Sequence, residues 1–160
     1  MRQTFGIVAA LLLAPAQAGA ADPAPDACKL VTLSDVNAAL GGGFEITPDP
    51  FARKMSSESS TCVYGKGPGN SASIFIIRNP GGSAKIAVLA RQQAQKRAGR
   101  AVTPIPGLCD AAFSVAINPK KANVIAAKGV WQVETEVIVG GTADAQAAQK
   151  LAEVACSRLY

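Results

Sequence analysis

Any chemistry in this chain must come from carboxylates, serines, basic side chains and four cysteines, because histidine is absent. Without imidazole, a serine nucleophile needs a lysine or another amine as its base. Ser56, Ser57, Ser59 and Ser60 cluster, yet no lysine follows them at a Ser-x-x-Lys spacing. The candidate acids are Asp35, Asp49, Asp110, Glu134 and Glu136. Glu134 and Glu136 stand two apart in a strand pattern and so project side by side, as an acid/base pair would need. The wet face of an amphipathic strand explains the same two residues more simply. Asp110, just before a strand, reads as a turn former. Neither imidazole nor a carboxylate cluster is present to hold a metal, and there is no phosphate loop, so no cofactor is implied.

The four cysteines, Cys28, Cys62, Cys109 and Cys156, allow three pairings, and their spacing alone does not choose among them. No C-x-x-C is present to tune a thiolate, so structural disulfides are expected. Position favours Cys28 with Cys62 and Cys109 with Cys156, which staples each half of the chain to itself. Loops of about 35 and 48 residues would each contribute on the order of 3.5–4 kcal/mol in the loop-entropy account.

The second predicted helix and its exit carry Lys85, Arg91, Lys96, Arg97 and Arg100, with no acidic residue from Ser83 to Arg100. Lys85, Arg91 and Lys96 share the outer face of the helical wheel with Gln92 and Gln95. A solvated helix face and a surface for an anionic envelope component or another protein both fit this pattern. Nucleic acid is not an expected partner, since the few aromatics are not interleaved with the cations for base stacking.

The elements that would carry these residues follow a readable order. Met1-Arg2, the apolar run Phe5 to Leu13, and the small-x-small patterns Ala16-Gln17-Ala18 and Ala18-Gly19-Ala20 read as a signal peptide over residues 1–20. No cysteine follows closely, so a lipid anchor is not expected, and the mature protein should be periplasmic or secreted without a transmembrane segment. Residues 21–27, with Pro23 and Pro25, read as a flexible lead-in, and 28–160 as a single domain. The net charge is +5, aromatics are few, and alanine dominates the apolar residues. Thin, closely packed helix-on-sheet layers are therefore expected.

Thr32 with Asp35 predicts a helix start, Leu33, Val36 and Leu40 its apolar stripe, and Gly41-Gly42-Gly43 its stop. Ile46 to Ser60 has no periodicity and reads as a loop, with Phe51 tucked beneath it. Thr61 to Gly65 and Ala72 to Arg78 flank the hairpin loop Lys66 to Asn70. Ile74-Phe75-Ile76-Ile77 is apolar on both faces, as a central strand would be. Ser83 is positioned to cap a helix to about Ala98, striped by Ile86, Ala87, Ala90, Ala94 and Ala98. Ala112 to Ile117, Asn123 to Ala127 and Val130 to Val139 follow as strands, with Trp131 a core or sheet-edge anchor. Thr142 is the expected cap of a last helix whose apolar face includes Ala147, Ala148, Leu151, Ala152, Val154, Ala155 and Leu159. The order predicts an α+β fold, an antiparallel sheet of about five to seven strands with three helices mainly on one face.

Cys28-Lys29-Leu30-Val31-Thr32-Leu33-Ser34-Asp35-Val36, then Leu40-Gly41, Cys62-Val63-Tyr64 and Gly107-Leu108-Cys109-Asp110-Ala111-Ala112-Phe113 resemble the pattern of small exported domains of unknown function, best known as actinobacterial lipoproteins. The resemblance implies an exported α+β domain with a bridge between its first two cysteines and no established activity. Two departures stand out: the lipobox cysteine is missing, and Cys109 replaces the family's glycine while Cys156 is added. Two cysteines gained together are best understood as partners. The expected role is a non-enzymatic binding or interaction module. The alternative is a structural or inhibitory envelope protein, and an enzyme is the least supported reading.

Overall fold

A computed structural model describes residues 23–47, 53–98 and 102–160. Their elements run α1 (Ala27–Leu30), α2 (Leu33–Leu40), β1 (Glu45–Ile46), β2 (Arg53–Met55), β3 (Ser59–Gly65), β4 (Ser71–Arg78), α3 (Gly82–Ala98), β5 (Thr103–Pro104), β6 (Ala111–Asn118), β7 (Lys121–Lys128), β8 (Trp131–Val139), β9 (Thr142–Ala143) and α4 (Ala145–Arg158). All strand pairs are antiparallel, in the order β1-β3-β4-β8-β7-β6-β5, with β2 also on β3 and β9 on β8. The fold is α+β, as the alternation of helical and strand patterns predicts.

Alternation along the strands builds two cores of unequal size. On one face Cys62, Tyr64, Ile74, Ile76, Val124, Ala126, Val133 and Val137 meet α1, α2 and α4. On the other, Phe113, Val115 and Ile125 meet Ala90 and Ala94 of α3. Helices α1, α2 and α4 therefore share a face, while α3 crosses the opposite side of β6 and β7. Strand β7 is buried on both sides for that reason. Strand β4 is central, as expected, but only one of its faces is covered: Ile74 and Ile76 are fully buried, whereas Phe75 is 42 % exposed. Apart from Ile86, the buried residues of α3 are alanines, Ala90 and Ala94, which lets its backbone lie close to the strands there.

Helix α2 forms where its capping signals stand. The Thr32 side chain accepts from the Asp35 N–H, and Asp35 accepts from the Thr32 N–H at 2.7 Å. Gly41 ends the helix at φ +83°, in the left-handed region glycine occupies without steric cost. Two expected caps are replaced. Asp144, not Thr142, caps α4 by accepting from Ala147 N–H, because Thr142 pairs with Val139 in β9. Ser83 lies one residue inside α3 and hydrogen-bonds the Asp110 carboxylate.

Five short elements, α1, β1, β2, β5 and β9, are additional to the expected set. Strand β2 pairs Arg53, Lys54 and Met55 with Cys62, Thr61 and Ser60, in the stretch that reads as a loop. Asp49 and Phe51, and the signal-peptide residues 1–20, lie outside the described residues. Helix α1 begins in the stretch that reads as a lead-in. Ala24 is buried there, Ala27 N–H donates to Ser60 Oγ, and that hydroxyl donates to Pro25 C=O. Tyr64 makes a similar tie from the sheet, donating its hydroxyl to Val31 C=O. Two buried side chains of β3, Ser60 and Tyr64, thus hold the entering chain by its backbone.

Both disulfides join the cysteines that position favours. Cys28–Cys62 ties α1 to β3, and Cys109–Cys156 ties the approach to β6 to the end of α4. Arg158 closes the helical layer with a two-pronged contact to Asp35, at 2.6 and 3.0 Å, and a hydrogen bond to Leu30 C=O. These hydrogen bonds, led by Arg158, hold the Asp35 carboxyl far below the usual carboxylate range. A depressed folded pKa contributes stability above the unfolded value near 3.8, and loses it as pH falls further. Asp35→Ala should therefore cost about 1–2 kcal/mol at pH 7, mostly as a lost cap, since the Arg158 side chain is 41 % exposed and its pairing is screened. Urea melts of both proteins at pH 7 and pH 2.5 check this: the gap should shrink in acid, and a pH-independent gap would contradict it.

Candidate functional site

Helix α3 stands on the sheet through Ile86, Ala90 and Ala94, so its remaining faces look outward and to either side. On one side Ala87, Val88 and Arg91 face the segment Pro104 to Ala111, which approaches β6. The two walls enclose an open groove of about 320 Å³, with Leu108, Ala112 and Phe113 buried along it. On the other side Leu89, Gln92, Gln95 and Lys96 line a separate open hollow of about 510 Å³. The basic residues therefore do not form one stripe. Arg91 belongs to the groove, and Lys96 to the far flank.

Lys85 is exposed near the helix start, its side chain folded over Gly81, where a Cβ would lie 2.8 Å from Lys85 Cδ. Arg97 is described only as helix, and Arg100 lies outside the described residues. Val88 and Leu89 are an unexpected part of this surface, 56 % and 41 % exposed between the basic residues. In the sequence, the signal for this part of the surface is the adjacent aliphatic pair Val88-Leu89 set between Lys85 and Arg91.

The groove's second wall is held rigidly. Pro104 pairs with Phe113 at the sheet edge, Ile105 N–H donates to Ala112 C=O, and Gly107 turns the chain at φ +78°. Cys109 adopts φ +53°, alone among the described non-glycine residues in having a positive φ. Its bridge to Cys156 anchors this turn to α4, whose Cys156 carbonyl accepts from Lys128 Nζ at 2.8 Å. Asp110 completes the anchoring. Its backbone N–H donates to Ala127 C=O, and its carboxylate accepts from Gly129 N–H at 2.8 Å. The Gly129 and Ser83 hydrogen bonds lower its pKa and keep it ionised. Asp110 thus ties the β7–β8 turn to the start of α3, a positioning task.

The other carboxylates are also engaged. Glu136 pairs with Lys121 at 3.4 Å, and Glu134 accepts from Gln132 Nε2 at 2.8 Å. They sit with Ser73, Phe75 and Asn123 over a hollow of about 280 Å³ on the uncovered face of β4 and β8. Each has its own partner, so the two are not drawn together as an acid/base pair. Three of the four clustered serines serve backbone geometry: Ser56 and Ser59 shape the turn into β3, and Ser60 holds the chain entry. Trp131 opens β8 half-buried, with the Arg78 guanidinium 5.7 Å from its ring centroid.

The arrangement can therefore bind but offers no assembled nucleophile and base among the described residues. No helix among them is long and apolar enough to cross a membrane. Neither a family model, nor a curated protein, nor a solved structure matches this chain.

Proposed function

We propose that the chain is an exported, non-enzymatic binding module, similar to the small exported domains its motifs resemble, and that α3 is its partner-facing element. The single observation carrying this reading is how α3 is mounted. It spends alanines and one isoleucine on the sheet, and turns Lys85, Arg91, Lys96, Val88 and Leu89 outward with no acidic residue among them. A helix needed only for the core would not require that surface. Two disulfides and no free cysteine support an oxidising compartment, where an anionic envelope component is the natural counterpart.

Replacing Lys85, Arg91 and Lys96 together by glutamine should leave the fold intact, because none of them contributes a described ion pair. Exposed cations of this kind attract an anionic partner over roughly a Debye length, about 10 Å at 0.1 M salt. The test is co-sedimentation with vesicles containing phosphatidylglycerol, at low and physiological salt. Wild type should bind at low salt, less at high salt, and the triple variant several-fold less than wild type. Equal binding by both proteins, or none by either, would remove the proposal.

A further inference from the structure

Helix α3 presents two different flanks, and on the Arg91 side the described residues supply a second wall. We infer that the groove beside Arg91 is a site for a small single-chain carboxylate amphiphile, with its apolar chain along the groove and its carboxylate on the Arg91 guanidinium. This deepens the binding-module reading and rests on it.

Three features support that ligand class. The walls are aliphatic and aromatic side chains, Val88, Ile105, Leu108 and Phe113 among them, which exclude a strongly hydrated ligand. At about 320 Å³ the space lies at the small end of ligand pockets, roughly 300–1,000 Å³, so one short acyl chain fits and a two-chain phospholipid does not. The groove carries no net charge, and the head group is decided by which of its two charged side chains is available. Two charged side chains line the groove, Arg91 and Asp110. Asp110 is committed to Gly129 N–H and Ser83, whereas Arg91 has no carboxylate partner among the described residues. An arginine at the margin of apolar walls is suited to a planar carboxylate, which it can hold through two parallel N–H···O bonds. The wall is also built in advance, by two prolines and by the Cys109–Cys156 bridge, so little ordering is required on binding.

Isothermal titration with decanoate, below its micellar range, tests this with the intact oxidised protein. Decanoate should bind, decanol at least tenfold more weakly, and decyltrimethylammonium not measurably. Arg91→Gln should weaken decanoate about tenfold or more, as expected when a charge-assisted hydrogen bond is lost. Ala87→Phe, which fills the groove from the helix side, should block it while leaving the far-UV spectrum unchanged. Lys85→Gln/Lys96→Gln alters only the other surfaces of α3 and should leave decanoate affinity as in wild type, even where it weakens vesicle binding. If decanoate and decanol bind alike, if Arg91→Gln binds as wild type, or if no probe binds, the inference fails. Vesicle binding lost in Lys85→Gln/Lys96→Gln would survive such a failure, so the two proposals are separable.

Discussion

Replacing Cys109 and Cys156 together with alanine is expected to lower the unfolding free energy by about 3–4 kcal/mol. The bridge closes a loop of 47 positions, and the loop-entropy account gives about 4 kcal/mol for a closure of that size. Each single substitution should cost a similar amount, and the double little more, because one bond is lost whichever end is removed. The backbone at Cys109 adds a finer expectation. At φ +53° any side chain crowds the following carbonyl, by about 1–2 kcal/mol for a β-carbon. Cys109→Gly/Cys156→Ala should therefore be more stable than Cys109→Ala/Cys156→Ala by about 1 kcal/mol, although both lack the bridge. Urea melts without reductant separate these variants. Additive losses in the two single variants would mean that the thiols act independently, and a less stable glycine variant would mean the turn is not confined to the left-handed region.

Leu151→Ala should be comparably damaging, at about 3 kcal/mol. Helix α4 covers the larger core with Ala147, Ala148, Ala152 and Ala155, and Leu151 is the one large side chain amid them, fully buried. Thr135 reinforces the same spot by donating its buried hydroxyl to Ala148 C=O at 2.7 Å, which fixes the helix against β8. With alanines on every side and the helix so pinned, the backbone cannot settle into the space left behind. A midpoint shift with unchanged denaturant slope would identify lost packing. A cost below about 1 kcal/mol would mean that α4 relaxes onto the sheet.

The sequence was most legible where local chemistry forces one answer. Thr32, Asp35 and Gly41 mark α2 because a capping box and a left-handed stop leave few alternatives. The hairpin about Lys66 to Asn70 and the three strands of the second half were readable from turn residues and alternation. What escaped was short or depended on partners far away. Helix α1 has four residues, too few to display a period of 3.6, and is secured by Ser60 and Cys62, more than thirty positions on. Strand β2 exists because β3 offers it an edge. The side of the sheet that α3 takes is decided by Phe113, Val115 and Ile125, which need a cover of their own. For the candidate site, the basic residues of α3 were legible, but their division between two flanks was not. That division comes from the groove wall at Pro104 to Ala111, a neighbour only in space.

The seam between β4 and β8 has a consequence for how the chain reaches this state. The β3–β4 hairpin and the β6-β7-β8 meander are local, but β4 finds its second partner roughly sixty positions away, from Ser71 opposite Ile138 to Arg78 opposite Trp131. Until β8 arrives, Ile74, Phe75, Ile76 and Ile77 sit on an unpaired apolar edge, the kind of template that recruits other chains. Cys28–Cys62 can close early, yet it does nothing to shield that edge. A chain that emerges with its N-terminus first therefore carries an aggregation-prone strand from the completion of β4 at Arg78 until β8, Trp131–Val139, pairs with it, roughly sixty positions later.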